Sequence, residues 1–121
     1  MSEFIIYTPA YNAEKTLRRT IDSILNQTHT YFTYYLLDNA ATDDTYKIIK
    51  EYSERDKRIV PLHNEKNWCG NGILDVIKNH KADSYVCELD ADDEYAPDFL
   101  EKMLAFIQKY NLEAAACGYD F

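Results

Sequence analysis

The apolar positions of the chain change period several times. Glu3-Phe-Ile-Ile-Tyr-Thr8 is a short apolar run closed by Pro9, the pattern of a buried first strand. Leu17, Ile21, Ile24 and Leu25 then recur at helical spacing, with Asn12 placed as an N-cap and Glu14 in the first turn. Tyr34-Tyr-Leu-Leu37 predicts a second strand ending at Asp38. Asn39 to Thr42 follow as a loop, from which Thr42 caps a helix burying Tyr46, Ile49 and Tyr52. Arg58-Ile-Val-Pro-Leu62 predicts a strand, Asn67 to Gly72 a loop, and Ile73, Val76 and Ile77 a third helix. Ser84 to Leu89 predicts a fourth strand, which delivers Asp90-Ala91-Asp92-Asp93 at its carboxyl end. Pro97 suits the first turn of a helix with Leu100, Met103, Leu104, Ile107 and Tyr110 on one face, and Glu113 to Gly118 is a last strand.

Strand and helix alternate throughout, so the expected fold is α/β: an open, mostly parallel sheet with helices on both faces. Such sheets bind ligands beyond the carboxyl ends of their strands, where strand order reverses. Thr8, Asp38 and Asp90 to Asp93 all fall at such ends. The 121 residues suit a single domain, 1–121.

Hydrophobic residues make up 46% and charged residues 28% of the chain, an ordinary globular balance that excludes disordered and collagen-like classes. No apolar run approaches the roughly 20 residues of a membrane helix, and no signal peptide opens the sequence, so the reading is cytoplasmic. Cys69, Cys87 and Cys117 lack CxxC spacing and read as reduced packing residues. The formal net charge of -8 argues against a nucleic-acid partner. A phosphate ligand would need a cation beside it.

The acidic cluster supplies a place for one. Asp90, Asp92, Asp93 and Glu94 put four carboxylates within five residues, and these repel one another unless solvated or shared by a cation. Hard oxygen donors favour Mg²⁺, Mn²⁺ or Ca²⁺ over zinc. The spacing of Asp90, Asp92, Glu94 and Glu101 also matches an EF-hand loop. That reading is disfavoured, because Tyr95 stands where the loop needs glycine and a strand precedes it. A solvated acidic loop ahead of the Pro97 helix is the plain alternative.

Four segments, Ile6-Tyr-Thr-Pro-Ala-Tyr-Asn12, Ser23-Ile-Leu-Asn-Gln-Thr28, Leu37-Asp-Asn-Ala-Ala-Thr-Asp43 and Leu89-Asp-Ala-Asp-Asp-Glu-Tyr-Ala-Pro-Asp98, resemble the serial motifs of family 2 glycosyltransferases of the GT-A type. The resemblance implies a Rossmann-like nucleotide-sugar-binding half. Its donor would be a nucleoside-diphosphate sugar, uridine by expectation, held through Mn²⁺ or Mg²⁺, and the sugar would pass with inversion to a carbohydrate or lipid-linked acceptor. It implies that the turn Thr8, Pro9, Ala10, Tyr11 and Asn12 borders the base, with Thr8 contacting it and Tyr11 packing on it. Asp38 and Asn39 would contact the nucleoside, and Asp90, Ala91 and Asp92 the nucleotide. Asp90, Asp92 and Asp93 would be the metal ligands.

The chain also departs from the family pattern. Two aspartates followed by Gly-Ser become Asp38-Asn39-Ala40-Ala41, so an amide replaces the acid expected to accept a hydrogen bond from uracil. Leu74 and Asp75 stand where Arg-Asn usually faces the donor, leaving Lys66 as the nearest cation. The family's catalytic base lies beyond the acidic motif, in a segment this sequence lacks, so the expectation is a truncated domain that binds donor without efficient transfer. Two other classes stay open: a nucleotide-binding module without catalysis, and a signalling receiver domain. The receiver reading conflicts with Thr-Pro ending the first strand. His29, His63 and His80 receive no role.

Overall fold

A computed structural model describes residues 2–66, 78, 80 and 83–118. Its elements are β1 (Phe4–Ala10), α1 (Leu17–Leu25), β2 (Phe32–Asn39), α2 (Thr45–Arg55), β3 (Ile59–Asn64), β4 (Tyr85–Glu88) and α3 (Phe99–Tyr110). The strands form one parallel sheet in the order β3-β2-β1-β4. The fold is the expected open α/β sheet. The chain steps outward from β1 to β3 and then returns to the far side of β1, so strand order reverses between β1 and β4.

Alternation along β1 divides its side chains between two faces. Phe4, Ile6 and Ala10 join Phe32, Tyr34, Leu36, Ile59 and Leu89 in one core, sealed by Leu17, Ile21 and Ile24 of α1, Ile48, Ile49 and Tyr52 of α2, and Leu100 of α3. All three described helices therefore cover this face. Ile5 and Tyr7, of opposite parity, are buried as well. The loop at Asn67 to Gly72 and the helix expected at Ile73, Val76 and Ile77 lie outside the described residues.

Several local expectations are corrected. β1 runs through Pro9 to Ala10. Phe4 N donates to Tyr31 O, while Leu89 N donates to Tyr7 O, so odd residues of β1 turn their backbone groups toward β4. Pairing with β4 stops at Tyr7, and the imino nitrogen of Pro9 interrupts no ladder. The same parity lets Pro61 sit in β3: Tyr34 N donates to Arg58 O, which leaves Pro61 facing the outer edge.

Asn12 does not cap α1. The N-cap position is Thr16, and Asn12 takes a left-handed backbone with φ 47°. Thr42 does not cap α2; Asp44 holds that position. The buried stripe of α2 is Thr45, Ile48, Ile49 and Tyr52, while Tyr46 is exposed. Pro97 precedes α3, whose buried residues are Leu100 and Ile107, with Tyr110 exposed. Asn111 ends α3 in a left-handed conformation, with Leu112 N donating to Ile107 O and Asn111 N to Gln108 O, the Schellman arrangement.

Glu113 to Gly118 forms no strand. Three alanines and a glycine give it little apolar surface to bury and low strand propensity. Among the described residues no helix is long and apolar enough to cross a membrane.

Candidate functional site

The carboxyl ends of β1, β2, β3 and β4 share one rim of the sheet, and the expected site residues gather there. Their environments differ sharply. Thr8 is fully buried toward the helices, its Oγ1 bonded to the Tyr34 hydroxyl at 2.8 Å. Ala10 also packs into the core, and Pro9 is half-buried. Only Tyr11, 51% exposed, and Asn12 open outward from this turn.

The two turns beyond β1 and β2 are laced together. Asn12 Oδ1 accepts the Thr42 N–H at 2.8 Å. Ala13 N donates to Thr45 Oγ1 at 2.8 Å, Glu14 N to Asp43 Oδ2 at 3.2 Å, and Asp44 N to Glu14 Oε2 at 3.1 Å. Asp43 Oδ1 accepts the Thr45 N–H at 2.9 Å, satisfying a donor that the start of α2 would leave bare. Burial acts to raise the Asp43 pKa, but the bonds from Thr45 and Glu14 outweigh it and hold the carboxyl below its ordinary value.

Asp38 is 1% exposed and spends both oxygens internally. Oδ1 accepts Ala41 N–H at 3.1 Å, and Oδ2 meets His63 Nδ1 at 2.7 Å. Asp38 and His63 are register partners on β2 and β3. The sequence separates them by 25 residues, and only β2–β3 pairing reveals the bond. Next along the same register, Asn64 Nδ2 donates to Asn39 Oδ1 at 3.3 Å. Ala40, where the family pattern has glycine, adopts φ 61°, a conformation glycine takes without steric cost.

Past β4 the picture reverses. The backbone is anchored: Ala91 O accepts Thr16 Oγ1 at 2.8 Å and Thr20 Oγ1 at 3.0 Å, and Asp93 N donates to Asp90 O at 3.1 Å. The side chains are not. Asp90, Asp92 and Asp93 are exposed, and each can offer one carboxylate oxygen within 4.8 Å of the others. No hydrogen bond or ion pair holds these side chains among the described residues. Three hard anionic donors brought this close could hold a hard divalent cation such as Mg²⁺ or Mn²⁺. Glu94 instead turns to Arg19, 3.4 Å away, and Lys66 is exposed. Leu74 and Asp75 lie outside the described residues.

The rim thus joins a packed, hydrogen-bonded turn region on β1, β2 and β3 to an open acidic loop on β4, across the point where strand order reverses. That is where ligands bind in open parallel sheets.

Comparison with known proteins agrees with the motif reading. The family profile described as "Glycosyl transferase family 2" matches residues 5–121. TuaG of Bacillus subtilis (strain 168), a glycosyltransferase whose name refers to teichuronic acid biosynthesis, is 31% identical over 115 residues, covering 95% of this chain and 46% of TuaG. The glycosyltransferase EpsE of the same organism is 36% identical over 101 residues, covering 83% of this chain and 36% of EpsE. The crystal structure of S. aureus TarS 1–349 in complex with UDP-GlcNAc superposes with a TM-score of 0.76 at 27% identity, over 92% of this chain and 33% of TarS 1–349. The chain spans less than half the length of each of these proteins.

Proposed function

Because the chain belongs to glycosyl transferase family 2, we propose that it binds a nucleoside-diphosphate sugar across this rim and serves transfer of the sugar to an acceptor hydroxyl with inversion. The observation that carries the reading is the convergence of Asp90, Asp92 and Asp93 within 4.8 Å at the reversal of strand order. Support for the donor class comes from TarS, seen with UDP-GlcNAc at 27% identity. The acceptor belongs to the carbohydrate or lipid-linked class.

In this reading Asp90, Asp92 and Asp93 hold Mn²⁺ or Mg²⁺, which neutralises a diphosphate and its leaving-group charge when bound. The protein's own contribution is position. The bonds from Thr16 and Thr20 to Ala91 O fix the loop backbone, so the carboxylates converge without a large ordering cost. Tyr11 offers a ring for a planar base to pack on. Asp38, by contrast, acts through the turn it braces: its oxygens hold Ala41 and His63.

The test is thermal denaturation with UDP, with and without Mn²⁺. Ligand at about 100 times its dissociation constant stabilises a fold by about 2.7 kcal/mol. That shift should vanish with chelator and in the Asp92→Asn, Asp93→Asn double variant. Equal shifts with and without chelator would overturn the metal role, and no shift with any nucleoside diphosphate would overturn the donor reading.

A further inference from the structure

The motif Ser23-Ile-Leu-Asn-Gln-Thr28 has no part in the site described above. Its polar side chains turn instead to the segment that follows β4. Thr16, Thr20, Ser23 and Gln27 recur at helical spacing, so they share one face of α1 and of the turn that ends it. Each of them bonds backbone between Ala91 and Leu100. Thr16 and Thr20 donate to Ala91 O. Ser23 Oγ donates to Thr20 O at 2.7 Å and accepts the Tyr95 N–H at 3.2 Å. Gln27 is 4% exposed, and its Nε2 donates to Ser23 O at 3.0 Å and to Ala96 O at 2.6 Å. Its Oε1 accepts the Leu100 N–H at 3.0 Å. Asp98, the N-cap residue of α3, makes no side-chain cap of its own, so Gln27 satisfies a first-turn donor from another element.

These bonds bracket the carboxylates. Ala91 lies between Asp90 and Asp92, and Tyr95 and Ala96 follow shortly after Asp93. Asp90, Asp92 and Asp93 carry no side-chain bond among the described residues. Their approach within 4.8 Å is therefore set by the backbone, which the Asp93 N–H closes onto Asp90 O. We propose that Ser23 and Gln27 are positioning residues for the metal site. They pin the exit of the acidic loop, as Thr16 and Thr20 pin its middle, and hold the carboxylates in one arrangement that suits a cation of strict geometry. The inference rests on the metal reading above. Mg²⁺ demands short, near-octahedral contacts whereas Ca²⁺ accepts longer and more varied ones, so a loosened loop should lose Mg²⁺ before Ca²⁺.

The experiment titrates Mg²⁺ and Ca²⁺ separately into the wild type, Ser23→Ala, Ser23→Thr and Gln27→Met, and follows the loop amides by NMR. Ser23→Ala removes the acceptor of the Tyr95 N–H and should lower the Mg²⁺:Ca²⁺ affinity ratio about five-fold, the worth of one hydrogen bond of about 1 kcal/mol. Gln27→Met, which frees Ala96 and Leu100 together, should lower it further. Ser23→Thr keeps the hydroxyl and should restore the wild-type ratio, a rescue that a general loss of stability would not produce. Where Gln27→Met fails to fold for want of a partner to the buried Leu100 N–H, the two Ser23 variants decide. A ratio unchanged in Ser23→Ala, or an equal drop for both ions, would overturn this inference and leave the metal reading intact. So would a Ser23→Thr ratio as low as that of Ser23→Ala. Wild-type loop amides that respond to neither ion would overturn both.

Discussion

The two ends of the rim solve opposite problems. On β1, β2 and β3 the polar groups are already paired: the buried Asp38 with His63 and Ala41, Asn39 with Asn64 and Thr45 with Ala13 and Asp43, and the exposed Asn12 with Thr42. In the loop beyond β4 the backbone is anchored, while among the described residues the carboxylates of Asp90, Asp92 and Asp93 are left exposed, close together and without a side-chain bond. Buried polar groups must be satisfied by the protein, because solvent cannot reach them. Exposed carboxylates are satisfied by water and tolerate mutual repulsion until a cation replaces it. One end is therefore part of the fold's stability, and the other is nearly independent of it.

A matched pair of substitutions should break this contrast most visibly. Thr45→Val keeps the shape of a fully buried side chain but leaves the Ala13 N–H without its acceptor. The expected loss is about 1–3 kcal/mol, read from chemical denaturation without metal. Asp92→Asn, on the exposed loop, should stay within about 0.5 kcal/mol of wild type under the same conditions. Comparable losses in the two variants would show that the acidic loop is as structural as the packed end.

A smaller effect sharpens the description of the packed end. Ala40 holds φ 61°, and a left-handed conformation costs a residue with a Cβ about 1–2 kcal/mol. Glycine removes that cost but gains unfolded-state entropy worth about 0.4–1 kcal/mol. The net expectation for Ala40→Gly is stabilisation of about 0.5 kcal/mol. A loss of stability would mean the turn relaxes away from the left-handed region in solution.

The smallest expected effect is on the acid limb of stability. The Asp43 pKa is held below its ordinary 3.8, burial being outweighed by the bonds from Thr45 and Glu14. Its contribution is thus complete above that value and is lost as pH falls through the lower folded pKa. Asp43→Asn should flatten this part of the pH profile and leave the neutral region parallel to wild type. Superposable acid limbs would show that the lacing carries no charge-dependent stability.

Legibility from sequence followed how local each signal was. The strands at Phe4 and Tyr34 and the acidic loop after Leu89 could be read because an apolar run and its punctuation sit side by side in the chain. The helices do not start at Asn12 and Thr42 for a related reason. Both residues have cap chemistry, but Asn12 Oδ1 bonds Thr42 N–H across 30 residues, and each turn borrows its partner from the other. Ile49 and Tyr52 are buried in α2 as expected, but Tyr46, though aromatic, is exposed and Thr45 takes its place in the stripe. Nothing near His63 in sequence marks it as part of the rim. Its partner Asp38 is met only through strand register.

The sequence by itself determined the order of the four strands from β1 to β4, the parallel α/β class, the family and the loop on which three carboxylates meet, since each depends on short motifs of neighbouring residues. Tertiary structure decided which of the other polar residues are bonded inside the fold. Thr8 looks like a contact residue in the chain, yet its hydroxyl closes on Tyr34 inside the core. Asp38 and Asn39 are neighbours in sequence, yet one is tied to His63 and the other to Asn64. A side chain's availability depends on what the adjoining strand places beside it, and that partner is chosen by sheet register, which the local pattern of the chain does not encode.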